Sequence, residues 1–176
     1  MNGIELIKNR RSIRSYSDKH ISDEILHSIL DAAMRGPSCT NAKDWCFLVV
    51  REKDTLNKMA DANGRPAEPL RGADVGILVC GDLNRAFKGA PDYWIIDAAI
   101  ACQNILLAAT SYGIGSVWLG TYPQTERVDR QRELFHLPAS VMPHSIIALG
   151  YPKNPEELEL GSRSGYEESQ VHFEKW

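Results

Sequence analysis

The run from Asp92 to Gly120 constrains the fold more than any other part of the sequence. It reads DYWIIDAAIACQNILLAATSYGIGSVWLG, and its first two thirds have almost no polar face. A helix that is apolar all round is a buried helix. We therefore predict one long central helix from Tyr93 to Tyr112, ended by Gly113 as a left-handed stop, with the rest of the chain packed around it.

Three polar side chains lie within this predicted helix: Asp97, Gln103 and Asn104. If they are buried, each must find a hydrogen-bond partner in the core. The helix nearly reaches the length that spans a membrane, but these polar groups favour a core helix instead. We therefore expect no membrane partner.

The rest of the chain alternates between helical and strand-like segments, which favours a sheet sandwiched by helices. A length of 176 residues suggests one domain over 1–176. Further helices are predicted over 3–9, 23–35, 54–62 and 124–135. Strands are predicted over 46–50, 74–80, 116–119 and 144–150, and 169–173 can add one more.

The C-terminal segment 151–176 is too long for an ordinary tail, and it carries several apolar side chains. Tyr166, Val171, Phe173 and Trp176 all need a surface to cover them. An arm that packs on a second subunit supplies that surface. We therefore expect a homodimer.

Charge and cysteine content exclude some classes of function. A net charge of -3, with no strongly basic patch, makes no electrostatic case for nucleic acid. The four cysteines show no C-x-x-C spacing and are interpreted as free thiols in a reducing cytosol. The N-terminus lacks a long apolar region, so no signal peptide and a cytoplasmic location are expected.

No familiar catalytic motif is present. The sequence contains no G-x-S-x-G elbow, no P-loop, no G-x-G-x-x-G after a strand and no metal-ligand spacing, and its five histidines are scattered. Each histidine is interpreted as structural or exposed. We predict no protein-borne catalytic residue and no metal.

Four segments remain as candidates for binding. They are the arginine cluster Arg10–Arg14, the polar loop Pro37–Asn41, the glycine-rich run Gly113–Thr121, and Arg163 in the tail. Guanidinium groups bind phosphate, and glycine lets a backbone approach a ligand closely. Taken singly, the first three also have plainer interpretations: a solvated basic turn, an ordinary connector and a helix end.

Taken together, the four segments resemble the nitroreductase family of FMN-dependent oxidoreductases. The resemblance rests on RRSIRSYSD, GPSCTNAKDW, DAAIACQNILLAATSYGIGSVWLG and the arginine in GSR, in that order. It implies an α+β fold with a central mixed sheet flanked by helices, a long buried central helix and a C-terminal arm exchanged in a homodimer. It also implies FMN as cofactor, with NADH or NADPH as reductant and a small-molecule electron acceptor.

The resemblance further implies which residues contact FMN. Those expected from one subunit are Arg10, Arg11, Ser12, Arg14, Trp118, Leu119, Gly120 and Arg163, and those expected from the partner subunit are Pro37, Ser38 and Asn41. The arginines would bind the phosphate and the pyrimidine edge, and the backbone near Gly120 would reach the flavin edge. The chemistry would then belong to the cofactor.

This chain departs from the usual family pattern at several positions. Lys43-Asp44 replaces the common Gln-Pro before Trp45, and Gly161 replaces a basic residue. A long helical lid is absent between the third helix and the second strand, which predicts an open, promiscuous site. Tyr93 and Trp94 are candidate wall residues, although plain packing is the favoured interpretation for both.

Two alternatives remain open at the level of sequence. One is an FMN enzyme of the same fold with a non-nicotinamide reductant, such as a dehalogenase-like or flavin-destructive activity. The other is a flavin-binding dimer without turnover.

Overall fold

The computed structural model describes residues 2–158 and 165–176. Its α-helices are α1 (Gly3–Asn9), α2 (Asp23–Ala33), α3 (Lys53–Asn63), α4 (Tyr93–Ser111) and α5 (Thr125–Leu134). Its strands are β1 (Trp45–Val50), β2 (Val75–Asp82), β3 (Gly115–Gly120) and β4 (Val141–Gly150). Short 3-10 helices lie at Cys39–Asn41, Arg65–Gly72, Pro155–Leu158 and Glu168–Gln170. The predicted α+β fold class is confirmed.

The four strands form one sheet in the order β1-β2-β4-β3. All three strand pairs are antiparallel, whereas the sequence predicts a mixed sheet. Within the described residues, parallel pairing is confined to one isolated bridge between Ser12 and Ser116. The strands β1 and β3 are the edges of the sheet, and β3 is the edge beside the N-terminal segment.

The sheet separates two hydrophobic clusters. Alternate residues of β2 point to opposite faces, so Ile77 joins the cluster under α2 and α4, and Leu78 joins the cluster under α3 and the Arg65–Gly72 turn. The segment that the sequence presents as a loop between α3 and β2 is therefore a folded 3-10 helix whose Leu70 is fully buried. The result is a helix–sheet–helix sandwich.

Helix α4 is the central helix that the sequence predicts, and it ends where Gly113 adopts a φ of +67°. Ala98, Cys102 and Ile105 bury one face of it against the sheet. Ile96 is 52% exposed, so within a single chain the helix is not covered on every side. By length and composition α4 could cross a membrane, yet about 44% of its apolar window is buried in the protein.

Of the three polar residues that were expected to be buried on α4, Asp97 is buried, Asn104 is half-buried and Gln103 is exposed. The Asn104 side-chain amide donates to the carbonyl oxygen of Ala32 at 3.1 Å, which ties α4 to α2. Asp97 is buried and accepts hydrogen bonds from the Cys39 backbone N–H. Gln103 is exposed, so its expected burial is wrong in the single chain, because it lies on the face of α4 that the chain leaves uncovered.

The strand predicted over 169–173 is also wrong. Its first two residues belong to the 3-10 helix Glu168–Gln170, and all five are exposed, with no partner strand in the described part of the chain. The alternating apolar pattern that suggested a strand belongs instead to side chains on the surface. Phe173 is 79% exposed and Trp176 is fully exposed.

Candidate functional site

The arginine segment, residues 10–16, lies along the free edge of β3. The Ile13 backbone N–H donates to the carbonyl oxygen of Ser116 at 2.9 Å. The Ile13 side chain is 1% exposed and packs on Gly115, where an added Cβ would lie 2.7 Å from Ile13 Cγ2. Gly115 therefore has to be glycine for the arginine segment to approach the sheet this closely.

Tyr16 fixes the other end of the segment. Its ring covers Gly150, where an added Cβ would meet the ring at 2.8 Å. Its hydroxyl donates to the Ile13 carbonyl oxygen at 2.7 Å, and the Ser17 N–H donates to Tyr151 at 2.8 Å. Burial raises the pKa of the Tyr16 phenol, so it remains a neutral donor. The segment is thus held against the ends of β3 and β4.

The predicted cofactor-binding residues of this segment are consequently presented at the surface. Ser12 and Arg14 are exposed, and Arg10 and Arg11 are half-buried. Within residues 2–158 and 165–176, neither Arg10 nor Arg14 forms an ion pair with a carboxylate. Such guanidinium groups can bind an anionic ligand. Arg163, the fourth arginine of the prediction, lies outside the described residues.

The register of β3 decides which backbone groups face this edge. Thr121 N–H donates to the His144 carbonyl oxygen at 3.3 Å, so Thr121 faces β4. Because hydrogen-bonding direction alternates along an antiparallel strand, the N–H and C=O of Gly120 point away from β4. A Cβ added at Gly120 would meet nothing within 4 Å. A ligand can therefore approach the backbone of Gly120.

Trp118 and Leu119 are placed differently from each other. The Trp118 ring is half-buried and packs edge-on against His144, with centroids 5.7 Å apart. The Leu119 side chain is 3% exposed and belongs to the core on the opposite face of the sheet. Leu119 can therefore offer a ligand its backbone but not its side chain.

The loop that holds Pro37, Ser38 and Asn41 is conformationally strained. Thr40, Asn41 and Lys43 adopt φ values of 50°, 59° and 49°, in the left-handed region that non-glycine residues rarely occupy. Such conformations persist only where the surroundings impose them, and they concentrate at functional sites. The Ser38 hydroxyl accepts from the Lys43 N–H at 3.0 Å, which closes the loop on itself.

Two buried carboxyl groups lie next to this loop. Asp97 on α4 accepts from the Cys39 N–H with both oxygens, at 3.1 and 3.0 Å. Asp44 is fully buried, and neither of its carboxyl oxygens has a donor among the described residues. Burial, and then the charge of Asp97, raise the pKa of Asp44 to about 6. The loop is thus fastened to α4 through Asp97, and the Asp82 N–H of β2 donates to the Asp44 backbone carbonyl oxygen at 2.7 Å.

His144 is the histidine with the most perturbed environment in the described residues. It lies between Trp94 and Trp118, and its Nδ1 is 3.0 Å from the Ser145 hydroxyl oxygen. Burial lowers the pKa of His144 to about 4. It is a neutral core residue at pH 7, which agrees with the structural interpretation of the histidines. Trp94 is likewise 4% exposed and packed in the core, whereas Tyr93 is 45% exposed.

The cysteines are free thiols in the structure. Cys80 and Cys102 are buried. The contact with Cys46, and then burial, raise the pKa of the Cys80 thiol, and burial raises the pKa of the Cys102 thiol. Cys46 faces Cys80 across β1 and β2, and this neighbour lowers the pKa of Cys46.

Two features of the site were not predicted from the sequence. One is the acid pair of Asp44 and Asp97, although an acidic residue directly before the apolar strand β1 was a visible signal. The other is Asn63, a fully buried amide at the end of α3 that contacts the end of β3. Nothing in the sequence around Asn63 marks it, because its partners are 57 and 58 residues away.

Comparison with known proteins shows which family this chain is similar to. The sequence profile described as "Nitroreductase family" matches residues 7–151. A Methanothermobacter thermautotrophicus protein, provisionally named NADH dehydrogenase/NAD(P)H nitroreductase, is 44% identical over all of this chain and 88% of its own length.

Solved structures agree with the sequence match. An FMN-dependent nitroreductase from Clostridium difficile superposes with a TM-score of 0.87 at 29% identity, over 98% of this chain and 99% of its own. A Desulfovibrio desulfuricans protein solved in complex with FMN, provisionally named a nitroreductase, is 32% identical with a TM-score of 0.79. That match covers 99% of this chain and 98% of the other.

Proposed function

The chain belongs to the nitroreductase family, and on that premise we propose that it is an FMN-dependent oxidoreductase that uses NADH or NADPH. The acceptors we propose are nitroaromatics, quinones or similar small molecules. The observation that carries the proposal is the arginine segment held along the free edge of β3 by Ile13 and Tyr16.

The described residues fit FMN in charge and in shape. Arg10 and Arg14 lack carboxylate partners in the described ranges and suit a phosphate or an electron-rich ring edge. Gly120 leaves open space where a side chain would otherwise project, and its N–H points away from β4. We propose that the arginines bind the phosphate of FMN, with Arg163 as a further phosphate ligand. The flavin edge would lie at Gly120.

FMN, when bound, accepts a hydride from NAD(P)H and passes the electrons to the acceptor. The residues of the chain would position and tune it. A guanidinium beside the pyrimidine edge would stabilise the negative charge that reduction places there. The Gly120 N–H would offer a hydrogen bond to the flavin edge. Since the nicotinamide and the acceptor would use the same open face in turn, we propose a ping-pong scheme.

A homodimer would complete the site. Ile4, Ile7, Tyr93 and Ile96, on the adjacent helices α1 and α4, are exposed apolar side chains. Exposed apolar faces of this kind are typical of subunit interfaces. We propose that this face meets a second copy and that Pro37, Ser38 and Asn41 approach the partner's FMN. Segment 151–176 begins on its own chain, where Tyr151 accepts from the Ser17 N–H, and we propose that it continues onto the partner subunit.

The first test is the absorption spectrum of the purified protein, before and after addition of FMN. We expect a yellow protein with one FMN per chain. A colourless preparation that does not bind added FMN would overturn the proposal. The cytoplasmic location is a separate proposal, tested by fractionation of the source cells.

Anaerobic titration with NADH and NADPH tests the reductant. Bleaching of the bound flavin by either one supports the proposal, and bleaching by neither favours an enzyme with a different reductant. Steady NAD(P)H consumption with a nitroaromatic or quinone acceptor would exclude a flavin-binding dimer without turnover.

A further inference from the structure

The end of β3 is held by a buried polar network whose centre is Asn63. The Asn63 side-chain amide donates to the carbonyl oxygen of Gly120 at 3.2 Å. The Asn63 carbonyl oxygen accepts from the Thr121 hydroxyl at 2.8 Å. Asn63 and Thr121 are both fully buried. Because the Thr121 hydroxyl can donate only to the oxygen of the amide, its bond fixes which way the Asn63 side chain is turned.

The Gly120 carbonyl oxygen accepts a second hydrogen bond, from a residue of α5. Arg127 on α5 donates through Nη1 at 2.9 Å. A carbonyl oxygen has two lone pairs, and both are therefore occupied. Gln131 on α5 also donates to the Met59 carbonyl oxygen at 2.8 Å, which joins α5 to α3. The layer of α3 and α5 thus holds Gly120 through two donors.

Such a constraint is needed at this position. Gly120 is the last residue of an edge strand, where no neighbouring strand restrains its outer side. Glycine also has more backbone freedom than any other residue. The two donors hold the peptide that joins Gly120 to Thr121, whereas the Gly120 N–H belongs to the preceding peptide, which β4 pairing turns outward. Holding the following peptide limits rotation about the φ and ψ of Gly120, so the outward N–H keeps its direction at the end of the strand. Hydrogen-bond donors that are fixed in advance stabilise developing charge better than mobile ones.

We propose that Asn63, assisted by Arg127, is a positioning residue that fixes the Gly120 backbone so that its N–H points at the flavin edge. This inference rests on the proposed function for the identity of the ligand. The clamp itself, formed by Asn63, Thr121 and Arg127 around Gly120, is present in the chain without a cofactor. It would also tune the midpoint potential of the bound FMN, because a donor fixed at the flavin edge does not bind the oxidised and the reduced ring equally well.

The test uses Asn63→Leu, which has the same branching and number of heavy atoms but cannot donate. In the protein freed of FMN, we expect amide hydrogen exchange at Tyr122, whose N–H donates to the His144 carbonyl oxygen at 2.9 Å just after the clamp, to become about tenfold faster. In the FMN-loaded protein, we expect the midpoint potential to shift by about 30 mV, which is a tenfold change in the preference between oxidised and reduced FMN for a two-electron couple. Unchanged exchange and an unchanged midpoint potential would overturn the proposal.

Two further variants keep the test decisive if Asn63→Leu does not fold. Thr121→Val removes only the hydroxyl that orients Asn63, and Arg127→Gln removes the second donor from the partly exposed side. Both should speed exchange at Tyr122 and shift the midpoint potential in the same direction as Asn63→Leu does. Arg130→Gln removes the same charge from α5 without touching Gly120, since Arg130 pairs with Glu126, and should change neither. If the first two variants match wild type in both measurements, the clamp has no such role.

The design separates failure of this inference from failure of the proposed function. If wild-type protein binds no FMN, the proposed function fails, and the exchange rate still reports on the clamp. If wild type binds FMN but Asn63→Leu leaves both readouts unchanged, only the positioning role fails.

Discussion

The carboxyl groups of Asp44 and Asp97 lie next to each other in the core, one before β1 and the other on α4. Both residues are at most 1% exposed. Asp97 accepts from the Cys39 N–H, whereas neither carboxyl oxygen of Asp44 has a donor among the described residues. The charge of Asp97 adds to burial in raising the pKa of Asp44. Two carboxylates cannot share such a site when both are ionised, so one proton is needed to hold the pair together.

The pair predicts that Asp44→Asn stabilises the protein at neutral pH. Burial and Asp97 raise the Asp44 pKa from 3.8 to about 6, so the folded protein binds more protons than the unfolded chain between these values. The stability contributed by the protonated pair is therefore complete below about pH 4 and is lost as pH rises through about 6. An amide needs no proton, and the expected gain at pH 8 is about 3 kcal/mol.

Urea unfolding of Asp44→Asn and wild type at pH 4, 6 and 8 checks this prediction. The gain should be small at pH 4 and largest at pH 8. Asp129→Asn, on the exposed face of α5, is the matched control and should show no such trend. A gain for Asp44→Asn that does not depend on pH would mean that the pair does not share a proton.

His144 predicts a pH dependence of the opposite sign. Its pKa is lowered from 6.5 to about 4 by burial, so the unfolded chain binds more protons in this interval. The stability contributed by neutral His144 is present above pH 6.5 and is lost as pH falls through about 4. In His144→Gln, the free energy of unfolding should therefore decrease less between pH 6.5 and 4 than in wild type. Urea unfolding across this pH range measures the effect, with His27→Gln on the surface of α2 as control. If the free energy of unfolding falls with pH equally in His144→Gln and in wild type, the prediction is contradicted.

Gly115→Ala should displace the arginine segment. The new methyl group would lie 2.7 Å from Ile13 Cγ2 and 2.8 Å from Ile13 Cβ, too close for either to remain in place. Overpacking of this kind costs about 1–3 kcal/mol. If the arginines bind FMN, the affinity should fall as well. Fluorescence titration with FMN and urea unfolding measure the two effects.

The control for this prediction is Gly72→Ala, whose added Cβ would only touch Tyr16 at 4.0 Å. It should retain both stability and affinity. Wild-type FMN affinity in a folded Gly115→Ala protein would show that the position of the arginine segment does not matter for binding.

The double variant Arg10→Ala, Arg163→Ala should nearly abolish FMN binding. Charge-assisted hydrogen bonds contribute about 1.5–3 kcal/mol each, so losing both should cost about 3–6 kcal/mol of binding free energy. Gel filtration with detection of bound flavin measures the loss. Lys58→Ala, Arg130→Ala removes the same charge from exposed positions on α3 and α5 and should retain FMN. A double arginine variant that keeps one FMN per chain would show that the phosphate lies elsewhere.

Ile96→Glu should dissociate the proposed dimer. Ile96 is 52% exposed on the uncovered face of α4, and a carboxylate buried at an interface without a partner is costly. Sedimentation velocity should show a monomer, and FMN should be lost with the partner's loop. Val49→Glu, at a 38% exposed position on β1, is the control and should leave assembly unchanged. A dimeric Ile96→Glu protein would move the proposed interface away from α4.

The sequence by itself determined the elements and their order, because helix and strand signals are local. The apolar run after Asp92 predicted α4, and Gly113 marked its end. The arginine segment and the polar loop were also recognisable as candidates, but only together with the glycine-rich run and Arg163, because each taken singly has a plainer interpretation. The local pattern failed at 169–173, where apolar alternation marks an exposed tail rather than a strand.

Only the tertiary structure decided which distant groups meet. Hydrogen bonds and steric contacts act over a few ångströms, so neither the Asp44–Asp97 pair nor the Asn63–Gly120 bond can be seen until the chain is folded. The same holds for Ile13 on Gly115, which places the arginines along β3. The register of β3 then turns the Gly120 N–H outward, and that direction depends on the pairing with β4 rather than on any residue of the strand itself.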